Sequence, residues 1–178
     1  MTLIIDLVPH LDAGDMTKWQ GDQNVRPLSE LGRRQAAAIA DALGEEQVDA
    51  LHSSPALRCR QSLEPLAERF GLGIEVLAGL GGDEAWRAPE GWDSDAEIPA
   101  HSAGRAFAAL AQARREHSEG RLVACSHGQI IPALVAYLIA AHDLVSVARM
   151  TQKGQWYRLR FEGDDVGVEL REAKEFPK

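Results

Sequence analysis

The chain has 178 residues, 45% of them hydrophobic and 26% charged, with a formal net charge of −8. That length supports one domain, residues 1–178, with a sizeable core. The acidic balance argues against non-specific nucleic-acid binding and against attraction to anionic membranes. It leaves room for a small anionic substrate, because a local cluster of arginines reverses the field inside one cleft.

Leu3 to Val8 is a short β-branched run that predicts a buried strand, ending at Pro9 with His10 directly after it. Gly14 to Pro27 is polar and predicts a loop. Ser29 to Leu43 is an alanine-rich helix, with Gly44 as its stop. Val48 to His52 predicts a second strand. Ser53, Ser54 and Pro55 then read as an N-cap and first-turn proline for a helix running to about Phe70. Ile74 to Leu77 is a third strand. The section from about Gly79 to Pro99 lacks periodicity and predicts a long irregular insertion, of the kind often used as a lid.

Ser102 to His117 predicts a helix, and Leu122 to Cys125 a fourth strand entering Ser126-His127-Gly128. Another helix follows to about Ala141. Gln155 to Phe161 and Val166 to Leu170 predict a closing hairpin. Strands alternating with helices imply a mostly parallel sheet covered on both faces, with ligands bound beyond the carboxyl ends of its strands.

The first apolar run is short, lacks a basic leader and contains Asp6, so no secretory signal is expected. The stretch IIPALVAYLIAA is too short to span a bilayer. Cys59 and Cys125 lie far apart inside separate elements and read as reduced core thiols. A cytoplasmic location is the expectation.

Three segments bring polar groups to the same predicted sheet edge. His10 and His127 each follow a strand, and a neutral imidazole near pH 7 can attack phosphorus. Read singly, each is as readily an ordinary loop histidine. In Leu51-His-Ser-Ser-Pro-Ala-Leu-Arg58 the helix presents its positive end to that edge, with Arg58 one turn in. A guanidinium suits bidentate binding of phosphate oxygens. Read alone, it is a capped helix with a surface arginine. Ser126-His-Gly-Gln, opening a helix, can present backbone N–H groups to an anion. No G-x-S-x-G elbow supports a serine-hydrolase reading.

Taken together, LVPHLDAGD, RPLSELGRRQA, HSSPALRCRQS and LVACSHGQIIPAL resemble the histidine phosphatase (phosphoglycerate mutase-like) superfamily. The likeness is greatest to its small bacterial branch, which includes the phosphohistidine phosphatases and the phosphatase half of certain Nudix fusion proteins. It covers Leu3 to about Leu138, and Lys153-Gly-Gln-Trp-Tyr-Arg-Leu159 is similar to the closing strand of the Nudix-fused group.

The resemblance implies a three-layer α/β/α sandwich with a mostly parallel central sheet. It implies a two-step phosphoryl transfer in which His10 is the nucleophile and a phosphohistidine is then hydrolysed. Arg58 matches the family's phosphoryl-binding arginine, and His127 the second histidine, which donates to a phosphoryl oxygen. No metal or other cofactor is implied, and the chain has neither an H-E-x-x-H segment nor a clustered Cys/His set.

The family's motif reads arginine-histidine-glycine or arginine-histidine-alanine, whereas this chain reads Pro9-His10-Leu11. Loss of one preorganised charge typically lowers the rate ~10²–10³-fold, and Leu11 adds bulk where the backbone should approach phosphate. Arg26 and Lys18 are the candidate compensating cations. Larger relatives supply a general acid after the third strand. In Gly79-Leu-Gly-Gly-Asp-Glu84 the candidates are Asp83 and Glu84, although both also suit a solvated acidic loop. Trp86 and Trp92 either line a lid or pack the insertion onto the body.

The leading expectation is a metal-independent phosphohydrolase of impaired activity, acting on a small phosphorylated substrate such as a nucleotide. The alternatives are a catalytically degenerate module that binds a phosphorylated ligand or a protein, and a protein phosphohistidine phosphatase. Oligomeric state is left open by the sequence.

Overall fold

The computed structural model describes residues 1–82, 89–91, 94–145 and 147–178. Strands β1 (Thr2–Pro9), β2 (Ala50–Ser53), β3 (Ile74–Val76), β4 (Gly120–Ser126), β5 (Gln155–Glu162) and β6 (Asp165–Glu172) form one sheet in the order β3-β2-β4-β1-β5-β6. The first four in that order are parallel, and the β5–β6 hairpin adds to the edge of β1 in antiparallel fashion. Helices α1 (Glu30–Leu43) and α2 (Leu57–Phe70) pack on one face, α3 (Ser94–Glu116) and α4 (Ile130–Ala141) on the other. The result is the three-layer α/β/α sandwich, with a mixed but largely parallel sheet.

Alternation along the strands builds two cores. Leu3, Ile5 and Leu7 of β1 join Leu122 and Ala124 of β4 and Tyr157, Leu159 and Phe161 of β5 against α3 and α4. Val8, Val123, Cys125 and Trp156 face α1 and α2 instead. Cys59 and Cys125 are free thiols, both fully buried.

Asp6 alternates to the α1–α2 face and has no exposure. Its carboxylate accepts from Arg121 Nε at 2.7 Å, from Arg158 Nε and Nη2 at 2.8 and 3.0 Å, and from Trp156 Nε1 at 3.1 Å. Arg158 also reaches Glu46 at 2.9 Å. Charges so deeply buried are tolerated because each is paired and hydrogen-bonded.

Three expectations need correction. The loop between β1 and α1 contains two single 3₁₀ turns, Met16–Lys18 and Gln23–Val25, each capped by an aspartate side chain. The N-terminal boundary of α2 is Ala56, which has no side-chain cap, while the Ser54 hydroxyl accepts from the Ala56 amide at 3.2 Å and also meets His127. Helix α3 begins at Ser94, so residues 94–99 of the expected irregular insertion are helical, with Pro99 inside the helix. Proline removes one backbone donor, but the alanine-rich run after it carries the helix forward.

Candidate active site

His10, Ser54 and His127 follow β1, β2 and β4, which are neighbours in the parallel part of the sheet, so all three reach its carboxyl edge. The local sequence at β1 now has a physical account. The His10 amide donates to the Ser126 carbonyl of β4 at 2.8 Å. Backbone groups alternate sides along a strand, so the N–H that Pro9 lacks would face β5. There the ladder has already ended, at Leu7 opposite Tyr157. Proline is therefore accommodated without losing a ladder bond.

The His10 and His127 rings meet edge to face, centroids 5.4 Å apart and planes at 70°. His10 Nδ1 donates to the Leu11 carbonyl at 2.8 Å. A carbonyl only accepts, so Nδ1 carries the proton and Nε2 the lone pair. Burial pushes the His10 pKa down to about 3; the bond to Leu11 opposes this, and the charges of Lys153 and Arg58 and the neighbouring His127 add to it. The ring is neutral at physiological pH.

Arg58, on the first turn of α2, donates from Nη2 to His127 Nδ1 at 3.3 Å and from Nη1 to the Gln23 carbonyl. Since a guanidinium only donates, His127 Nδ1 accepts, and Nε2–H points to Ser54 Oγ at 2.9 Å. Cys59 lies beneath, its Sγ 3.8 Å from the same Nε2. Arg58 and His127 are both nearly fully buried.

The segment after His10 is pinned on every side. Leu11 N donates to Ser62 Oγ at 3.0 Å, and that hydroxyl donates to the Arg58 carbonyl at 2.7 Å, linking nucleophile loop and arginine turn. The Leu11 side chain is fully buried among Leu28, Ile39 and Cys59, so its bulk goes into the core. Asp12 N donates to Gln35 Oε1 at 3.0 Å, and the Asp12 carbonyl accepts from Ser29 N at 2.9 Å. Helix α1 approaches so closely here that a Cβ on Gly32 would lie 1.9 Å from the Asp12 carbonyl oxygen. Only glycine fits there.

The structure separates the proposed compensating cations. Arg26 is buried, and its Nη1 donates to the Ala13 and Gly14 carbonyls at 2.8 and 3.0 Å, bracing the loop. Lys18 is exposed, pairs with Asp15 at 3.7 Å, and makes no hydrogen bond to His10, Arg58 or His127. Asp83, Glu84, Trp86 and Trp92 lie outside the described residues.

Ser54, expected at this edge, is joined by three polar residues that sequence reasoning did not place at the site: Ser62, Gln35 and Lys153. Lys153, in the turn before β5, donates from Nζ to the His10 carbonyl at 2.8 Å. Burial holds its ammonium below the usual lysine range, partly offset by Asp12. Among the described residues, no group of three or more His, Cys, Asp or Glu is placed to hold a metal ion, and no helix is long and apolar enough to cross a membrane.

This sheet order, with two histidines and an arginine at one strand edge, agrees with the match of residues 13–82 and 81–173 to the histidine phosphatase superfamily (branch 1). The chain belongs to that family.

Among individual proteins it is similar to an 8-oxo-(d)GTP phosphatase of Mycolicibacterium smegmatis, 27% identical over 94% of this chain and 48% of the relative. It spans about half the length, or less, of the curated relatives it matches. Its fold is that of a mycobacterial glucosyl-3-phosphoglycerate phosphatase (TM-score 0.67, 23% identity, 96% of this chain and 97% of the other). It is likewise that of the protein histidine phosphatase SixA, solved with tungstate (TM-score 0.64, 20% identity, 97% of each chain).

Proposed function

We propose that the chain is a phosphohydrolase that transfers a phosphoryl group first to His10 and then to water. The observation that carries this reading is the state of His10. Its Nδ1 is tied to the Leu11 carbonyl, leaving a neutral Nε2 lone pair beside His127, which is itself bonded to Arg58. A nucleophile needs a free lone pair in a fixed direction, and burial among cations keeps this one unprotonated.

In the first step Nε2 forms a bond to phosphorus as the bond to the leaving oxygen breaks. A phosphoryl oxygen entering between the rings accepts from Arg58 in place of His127 Nδ1. His127 then takes its other tautomer, with the Ser54 hydroxyl donating to Nε2 and the ring's proton on Nδ1, which donates to the developing charge. In the second step water attacks phosphorus, the N–P bond breaks, phosphate departs and the imidazole lone pair is regenerated. Preorganised donors of this kind stabilise the charge that builds on the transferring group.

A small phosphorylated substrate is the reading, and a nucleotide is its best-supported form, because the alignment over 94% of this chain is to part of a nucleotide phosphatase. That relative, and the similarity of Lys153 to Leu159 to Nudix-fused proteins, support a reading within the small bacterial branch. Pro9 favours a second reading, a module that binds a phosphorylated ligand without turning it over.

Turnover of p-nitrophenyl phosphate and of nucleoside di- and triphosphates by wild type and His10→Ala decides between them. Wild-type turnover lost in His10→Ala supports the hydrolase. Ligand binding without turnover supports the module. Turnover that survives His10→Ala refutes the nucleophile.

A further inference from the structure

We propose that Lys153 supplies the phosphoryl-binding cation that Pro9 removes, reaching the site from the turn before β5 instead of from β1. The proposal rests on the phosphohydrolase reading and names a residue that contacts the transferred group. Its ammonium lies 2.8 Å from the His10 carbonyl, one peptide unit from the nucleophilic ring. An ammonium has three donors. Among the described residues one is used here, and no carboxylate lies within ion-pair distance of it. Asp12, the acid that acts most on it, is already held by the Ser29 hydroxyl and the Gly14 amide. A largely buried cation lacking a bonded counter-ion has an unmet demand for an anion.

The position is built. Gly154 turns the chain into β5 at φ +91°, and a Cβ there would lie 2.7 Å from the Phe176 ring. Ala173 N bonds to the Gly154 carbonyl at 2.9 Å, and Gln155 Oε1 accepts from Thr151 N at 2.9 Å. The base of the lysine is therefore fixed, and only its side chain needs to swing. The β1–β5 ladder stops at Leu7 opposite Tyr157, so the turn that carries Lys153 is not paired to Pro9 or His10. With Arg58 on the α2 side and Lys153 on the β5 side, a phosphoryl group on His10 meets one cation on each flank.

Two readouts test this on the full chain: kcat/KM for p-nitrophenyl phosphate and the affinity for orthovanadate measured by calorimetry. Lys153→Met is expected to lower both about 10- to 100-fold, the usual weight of a charge-assisted hydrogen bond. Lys153→Gln, which can still donate to the His10 carbonyl, should lose as much, and Lys153→Arg should retain most of the affinity. Adding Pro9→Arg to Lys153→Met should restore the vanadate affinity.

Unchanged vanadate affinity in Lys153→Met overturns the proposal, as does full retention in Lys153→Gln, which would mean that the lysine only holds the His10 backbone. Failure of wild type to bind vanadate overturns it too. Vanadate binding that depends on Lys153, in a protein that turns nothing over, sustains the lysine assignment and sinks the hydrolase reading.

Discussion

Acidification should expose His10 as a latent source of instability. The folded protein holds this ring neutral until about pH 3, chiefly by burial, with Lys153, His127 and Arg58 reinforcing it, whereas the unfolded chain binds the proton near 6.5. Above 6.5 neither state is protonated and the full stability is present. Below 6.5 the unfolded state holds one more proton, so stability falls as pH falls, by about 1.4 kcal/mol per pH unit. Followed down to the folded value of about 3, the loss approaches about 5 kcal/mol from this one group, a large share of a domain's usual margin.

His52 is also buried and held below its ordinary value by that burial, so the informative quantity is a difference. Urea unfolding of wild type and of His10→Asn, on both sides of pH 6.5, isolates the His10 contribution. The wild type should lose stability more steeply on the acid side. Nitrogen spectra of the imidazole should show the proton on Nδ1, as the bond to Leu11 requires. Equal acid slopes, or a His10 ring that titrates near 6.5 in the folded protein, would refute the argument that burial among cations keeps the nucleophile ready.

Asp6→Asn should destabilise the protein by about 3–5 kcal/mol in urea unfolding, because it removes the charge that two buried arginines share. A loss below about 1 kcal/mol, the level of an exposed pair, would mean the network carries no such weight. Gly32→Ala should cost about 1–3 kcal/mol, since its Cβ meets the Asp12 carbonyl oxygen. Because that peptide adjoins the nucleophile loop, kcat should fall as well, and an unchanged kcat would show the loop to be insulated from α1. Ser54→Ala removes the acceptor of both His127 Nε2 and the Ala56 amide, and should lower kcat/KM about 10-fold while costing about 1–3 kcal/mol in urea unfolding.

The sheet was legible because short apolar runs at β1, β2, β3 and β4 alternate with helical segments, which implies a largely parallel sheet covered on both faces. The helix after Ser29 was legible because its alanine-rich composition and its stop at Gly44 are local signals. What escaped was set by long-range packing. The start of α3 was hidden by Pro99, which reads as a boundary in a local pattern and is carried inside the helix here. Ser54 reads as a cap until β4 brings His127 to its hydroxyl across the sheet edge.

Lys153 stands just before the closing hairpin, but its reach to His10 depends on a β1–β5 ladder that ends early, which no local signal announces. Ser62 and Gln35 are ordinary polar positions on helices; only the fold turns them toward the backbone of Leu11 and Asp12. Leu11 was expected to crowd the phosphate because it stands where the family has glycine or alanine, whereas its side chain goes down into the α1–α2 core.

The central claim is that His10 takes the phosphoryl group covalently. The most direct measurement is mass spectrometry of the protein quenched under alkaline conditions during turnover, with fragmentation to locate the modified residue. The account predicts one phosphoryl group, on Nε2 of His10, appearing with substrate, decaying as phosphate is released, and absent from His10→Ala. Steady turnover with no phosphorylated His10 at any time, or a phosphoryl group carried by another residue, would contradict it.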